Sequence, residues 1–195
     1  MTHSRLLFTM MNNPIRAGSQ RLLETPLLIG PRGALAGQRV LEIGCGRGVG
    51  VEILLGLGAR HVVGLDLDPQ MISLAQERLG SLADQTDVFV GDAQAIDAPD
   101  GSFDAVVGYG VIHHIPDWQA ALKEVGRVLR SGGKYYFEEW LKGFTSSRAI
   151  RALFGQPQVS AFSGKEFRIG LEACGLRLSE WRQVGELGVI GYADK

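Results

Sequence analysis

Residues 40–50, VLEIGCGRGVG, constrain the fold more than any other stretch of this chain. A short apolar run over 39–43 stops at a cluster of glycines and passes straight into a segment with helical spacing. An apolar run without alternation is what a strand buried on both faces requires, and parallel sheets bury both faces. Glycines at 44, 46 and 48 let the backbone adopt positive φ and approach a ligand without a Cβ in the way. Ligands of open α/β sheets bind at the carboxyl ends of the strands, where this turn must lie.

The same alternation continues to the end of the chain. Helical spacing is expected over 49–57, with Gly58 near its end, and over 69–79, where Pro69 starts the helix and Gly80 stops it. Strands are expected at 61–65, 88–90, 103–107 and 134–139. A helix over 117–130 should end at the Ser131-Gly132-Gly133 turn. A further helix is expected at 146–154. Ser163 and Glu166 form a capping box leading into 167–174, and the runs 176–184 and 187–192 read as a hairpin around Gly185-Glu186. Strand and helix repeated in this way give a doubly wound α/β fold. Its seven-stranded, mostly parallel sheet carries a C-terminal antiparallel strand. We expect one domain over 1–195, comprising a helical cap at 1–38 (helical around 17–29), a ligand-binding core at 39–140 and a substrate-side region at 141–195.

Composition narrows the function. No apolar stretch approaches the roughly 20 residues of a membrane helix, and the first residues lack the apolar core and cleavage site of a secretion signal. Cys45 and Cys174 form no CxxC pair, so neither a zinc site nor a disulfide framework is expected, and a reducing cytoplasm is the simplest location. Between Glu42 and Asp117 stand twelve acids against three bases, whereas 123–182 holds eleven bases against six acids. The middle suits a ligand with positive charge or many hydroxyls, and the flanks an anionic partner; scatter over solvated faces is the plainer reading. No basic run is long enough for nucleic acid.

Three acids accompany the glycine turn. Glu42 stands two residues before Gly44, out of place beside a pyrophosphate but suited to an ammonium or sulfonium. The dinucleotide fingerprint also wants Gly where Val49 stands. Asp66 ends the second strand about 20 residues after the turn, where a carboxylate can accept both hydroxyls of a ribose. Leu67 can lie against a purine, and Asp68 reads as the N-cap of the next helix. Asp92, after the third strand, can accept from an adenine amino group while the Ala93 N–H donates to a ring nitrogen. The plainer reading of Asp92 is a loop aspartate, and of Arg47 a solvated loop arginine.

With FDAVVGYGVIHHIPDW (103–118) and EVGRVLRSGGKYYFEE (124–139), these segments resemble a class I S-adenosylmethionine-dependent methyltransferase of the small-molecule type, similar to the ubiquinone and menaquinone biosynthesis group. The resemblance runs from about 40 to 139 and implies a Rossmann-like methyltransferase fold. It implies S-adenosyl-L-methionine as cofactor, held by Glu42, Gly44, Cys45, Gly46, Asp66, Leu67, Asp92, Ala93, Gly108 and Tyr109, with no metal. His113 and His114 are the candidate catalytic residues, as imidazole titrates near neutral pH. The acceptor is expected to be a small molecule, anionic or lipid-like. Arg16, Trp140, Phe144, Arg148 and Arg151 are candidates to line its space. The chain departs from the family pattern at Gly108-Tyr109-Gly110, where Ser or Asn is frequent, and at Ser131, where Pro is frequent. Glu138 and Glu139 end the fifth strand on opposite faces, so at most one is expected to reach substrate. A binding-competent partner subunit without turnover and an NAD-dependent oxidoreductase are the competing readings.

Overall fold

A computed structural model describes residues 14–31, 33–146 and 162–195. The chain divides into two compact units, Met1–Val90 and Gly91–Lys195. Beyond Ser146, the expected helix over 146–154, together with Arg148 and Arg151, lies outside the described residues, as do the side chain of Arg16 and the start of the chain.

In the first unit, α1 (Pro14–Ser19), a wider turn at Gln20–Glu24 and α2 (Thr25–Leu28) form the expected helical lead-in. Leu22, Leu23 and Leu27 on this lead-in are exposed. Strands β1 (Arg39–Ile43), β2 (His61–Asp66) and β3 (Thr86–Val90) follow in the order β3-β2-β1, all parallel. Every residue of β1 after Arg39 is buried, as are Val62 to Leu65 of β2, which accounts for their apolar sequence, with Glu42 the one exception. Helix α3 (Val49–Gly56) ends where Gly58, at φ 98°, reverses the chain. Helix α4 (Pro69–Leu79) buries Met71, Ile72, Ala75 and Leu79, the stripe its spacing predicts. Asp68 caps it, accepting from the Gln70 N–H at 2.8 Å. The α-helix ends at Leu79 with Gly80 as its C-cap, as expected, although the glycine is not left-handed. At φ −51° it stays right-handed, and the helix tightens into a 3₁₀ segment over Gly80–Gln85 that buries nothing.

In the second unit, β4 (Phe103–Tyr109) and β5 (Leu129–Trp140) pair in parallel, with α5 (Trp118–Val128) between them in sequence. Helix α5 stops earlier than its apolar spacing predicts. Leu129 is extended and pairs with Phe103, so the 131–133 segment belongs to the strand. Strand pairing outweighs one more turn of helix there, and Leu129 is buried either way. The short α6 (Lys142–Thr145) follows, and α7 (Gly164–Ala173) opens on the expected capping box. Strands β6 (Arg177–Val184) and β7 (Gly188–Asp194) form the terminal hairpin, with β7 antiparallel to both β6 and β5. Tyr135, Phe137, Phe162 and Phe167 fill the core of this unit. The seven strands run in the order β3-β2-β1-β4-β5-β7-β6, the mixed sheet that the sequence predicts.

Candidate functional site

The first unit gathers its chemistry where β1 and β2 end. The N–H of Gly46 donates to Asp66 Oδ2 at 2.9 Å, and the N–H of Asp68 donates to Oδ1 at 2.9 Å. Asp66 is thereby locked against the glycine turn, and each oxygen keeps lone-pair capacity for a further donor. The backbone at Gly46 has φ 52° and open space where a Cβ would point, so the peptide is bare to an incoming ligand. Leu67, next to Asp66, is 62% exposed, an apolar face held out beside an oriented carboxylate.

Glu42 is the anomaly of this unit. It is only 3% exposed, and its Oε2 has no hydrogen-bond partner. Burial, and then the nearby charge of Asp66, push its carboxyl well above the usual range. A Cβ on Gly50 would fall 2.0 Å from Glu42 Oε1. Gly50 is therefore the residue that admits this acid, which explains a third helix-proximal glycine displaced by one position from the dinucleotide fingerprint. Cys45, buried in the same turn, is pushed up by burial, then by Glu42 and Asp66, and is not a poised thiolate. A buried acid with an unused oxygen, a bare glycine turn and an oriented aspartate fit a ligand carrying a cation and a diol. They do not suit a pyrophosphate.

The second unit holds the other predicted residues. Asp92 is half-buried and bound by its own loop. Its Oδ1 accepts from the Gln94 N–H at 2.8 Å, and both oxygens lie 3.0 Å from Gln94 Nε2. Gln94 Oε1 in turn accepts from the Asp117 N–H, tying the loop to the start of α5. Ala93 is buried beside Asp92. Arg127 secures the rest of this loop, donating to the carbonyls of Ile96 and Ala98 and to Asp100 and Glu124. Hydrogen bonding from Arg127 holds the Glu124 carboxyl below its usual range. Gly108 is buried and Tyr109 half-buried at the end of β4.

The two histidines separate. His113 is 3% exposed, whereas His114 is exposed. His113 Nδ1 lies 2.7 Å from Glu139 Oε2. Glu139 and the half-buried Glu138 take different environments, as strand alternation requires. Residue pattern alone did not reveal the Gln94 clamp, the Gly50 contact or the Glu139–His113 pair. The only hint was a pair of acids at the carboxyl end of β5. Among the described residues, no group of three His, Cys, Asp or Glu side chains gathers for a metal, and no helix is long and apolar enough to cross a membrane.

Comparison with known proteins places residues 41–137 in the family described as a methyltransferase domain. The chain is 32% identical over 196 residues to a phthiotriol/phenolphthiotriol dimycocerosates methyltransferase of Mycobacterium leprae, covering 82% of this chain and 70% of that protein. It is 37% identical over 103 residues to a ubiquinone biosynthesis O-methyltransferase of Xanthomonas oryzae, covering 52% of this chain and 43% of that one. Among solved structures it superposes on Haemonchus contortus phosphoethanolamine N-methyltransferase 2 in complex with S-adenosyl-L-methionine, with a TM-score of 0.73 and 26% identity. That match covers 85% of this chain and 38% of that one. The chain spans less than half the length of several curated relatives it matches.

Proposed function

Because this chain belongs to the class I S-adenosylmethionine-dependent methyltransferases, we propose that it transfers the methyl group of that cofactor to a small molecule. The observation that carries this reading is Glu42, a buried acid with an unused oxygen set behind a bare glycine turn and beside the oriented Asp66. The family match runs from 41 to 137, from the first unit into the second, which supports reading 1–195 as one domain. Free Cys45 and Cys174 agree with a reducing compartment, the cytoplasm.

When bound, the cofactor supplies an electrophilic methyl group on a positively charged sulfur. Asp66, already held by two amides, accepts the ribose hydroxyls, and Leu67 offers an apolar face to the purine. Asp92 and the Ala93 N–H read the adenine edge. Gly44, Cys45 and Gly46 line the methionine part with backbone, and Glu42 meets its cationic end. Gly108 and Tyr109, at the end of β4, are the remaining residues we assign to the cofactor. The remaining task of these residues is alignment, and a near-attack geometry lowers a barrier by about 7–11 kcal/mol. For the acceptor we favour a lipid-like molecule. Relatives named for quinone and dimycocerosate substrates support it, as do the exposed Leu22, Leu23 and Leu27 and the Trp140–Phe144 stack. The anionic alternative drew on the excess of basic residues over 1–38 and 123–182.

Titration calorimetry with S-adenosylhomocysteine and with NAD tests the cofactor: the first should bind and the second should not. Incubation with labelled cofactor and a metabolite extract tests turnover. A bound cofactor with no labelled product under any condition points instead to a partner subunit without catalysis.

A further inference from the structure

The cofactor reading leaves one buried cluster of the second unit unused. Glu139, near the end of β5, is 1% exposed. Its Oε1 accepts from the N–H groups of Val111 at 3.3 Å and Ile112 at 2.9 Å, and its Oε2 from the N–H of His113 at 3.2 Å. Three successive amides converging on one anion make a nest, and here the anion is built into the neighbouring strand. The fourth contact is His113 Nδ1 at 2.7 Å. Three amides already donate to the two Glu139 oxygens and so favour the charged carboxylate, which assigns the proton shared by the pair to Nδ1. In a neutral imidazole that leaves Nε2 as an acceptor. Nε2 makes no hydrogen bond among the described residues.

The neighbourhood of that nitrogen is specific. The adjoining ring atom, His113 Cε1, is 3.6 Å from where a Cβ on Gly110 would stand, and Trp140 Nε1 is 3.7 Å from the same point. Trp140 is 40% exposed and stacks on Phe144, with ring centroids 4.4 Å apart. An imidazole edge, an indole N–H and an aromatic stack thus surround the bare Cα of Gly110, just past the end of β4.

We propose that Glu139 is a positioning residue that fixes His113 with its proton on Nδ1, so that Nε2 receives the hydroxyl proton of a phenolic methyl acceptor seated at Gly110 and Trp140. This rests on the methyltransferase reading and adds the acceptor's reactive group to it. His113 Nε2 takes the phenol proton while the oxygen pair forms the bond to the methyl carbon. The carbon–sulfur pair stays on sulfur, which becomes a neutral thioether, and the imidazolium next to Glu139 later returns its proton to water. A phenol ionises near pH 10, about 3.5 units above imidazole, a gap that a positioned base bridges. An indole edge suits an aromatic ring.

The test pairs two acceptors. Catechol must lose a proton to react; thiophenol is already ionised near neutral pH and needs no base. In the full chain with labelled cofactor, Glu139→Gln and His113→Gln should each lower the ratio of catechol to thiophenol methylation by about 100-fold or more. A merely structural role moves both acceptors together and leaves the ratio unchanged, which overturns the proposal. Nitrogen NMR of the unmutated protein should show His113 protonated at Nδ1, and the Nε2–H tautomer overturns it even if Glu139→Gln fails to fold. A wild-type chain that binds S-adenosylhomocysteine but methylates no catechol overturns the phenol assignment alone. A chain that binds no S-adenosylhomocysteine overturns the methyltransferase reading itself.

Discussion

Two buried glutamates, one in each unit, are treated in opposite ways. Glu139 meets four nitrogen donors, while Glu42 leaves an oxygen with none. Both are almost without solvent, so burial alone does not distinguish them. A desolvated carboxylate costs several kcal/mol unless donors replace water. At Glu139 the fold supplies them, and the acid acts as a brace for the loop after β4. At Glu42 they are missing, so the acid keeps its proton until a cationic ligand favours the charged form. One acid belongs to the fold; the other anticipates a partner.

Substitutions test this contrast, beginning with the largest expected effect. Glu139→Ala strips the acceptor from three amides and an imidazole, and should lower unfolding stability by about 3–5 kcal/mol in a denaturant titration. A loss under 1 kcal/mol would mean that the nest is not closed in solution. Asp66→Ala removes an acceptor from the ribose and from the Gly46 N–H. It should weaken S-adenosylhomocysteine binding by about 100-fold by calorimetry, at about 1.5–3 kcal/mol per charged hydrogen bond. Unaltered binding would remove Asp66 from the site.

Glu42→Gln should do the reverse for stability, raising it by about 1–2 kcal/mol at pH 7.5 while weakening cofactor binding. The sign follows from the raised carboxyl. The folded chain keeps a proton that the unfolded chain releases above 4.5, so native stability falls as pH rises past that value. Melting curves from pH 5 to 8 should slope downward for wild type and flatten in the variant. Glu124→Gln, at a half-buried acid paired with Arg127, sets the ordinary scale. Its carboxyl is held low, so its contribution is present above 4.5 and disappears as pH falls through the lower folded value. The variant should cost about 1 kcal/mol at pH 7 and nothing in strong acid.

Much of the architecture was legible because its signals are local. The apolar run at 39–43, the stripe of Met71, Ile72, Ala75 and Leu79 and the Ser163–Glu166 box each specify an element within a few residues, and each appears as read. A boundary failed where tertiary pairing competed with local preference, at Leu129. At the candidate site, the sequence supplied the residue types and their order. It gave no sign that Gln94 clamps Asp92, because that bond depends on loop geometry.

From the chain alone came the strand–glycine–helix turn and the acids that accompany the strand ends, since these are short-range patterns, and the resemblance carried by those segments implied the cofactor. The fate of each acid was decided by folding. Glu139 lies 26 to 28 residues from its donors, and only the parallel pairing of β4 with β5 brings them within hydrogen-bonding range. Glu42 stays one donor short because Gly50 makes room for the carboxyl but offers it no side chain. Hydrogen bonds reach about 3 Å, and no periodicity in a linear chain records which distant groups will come that close.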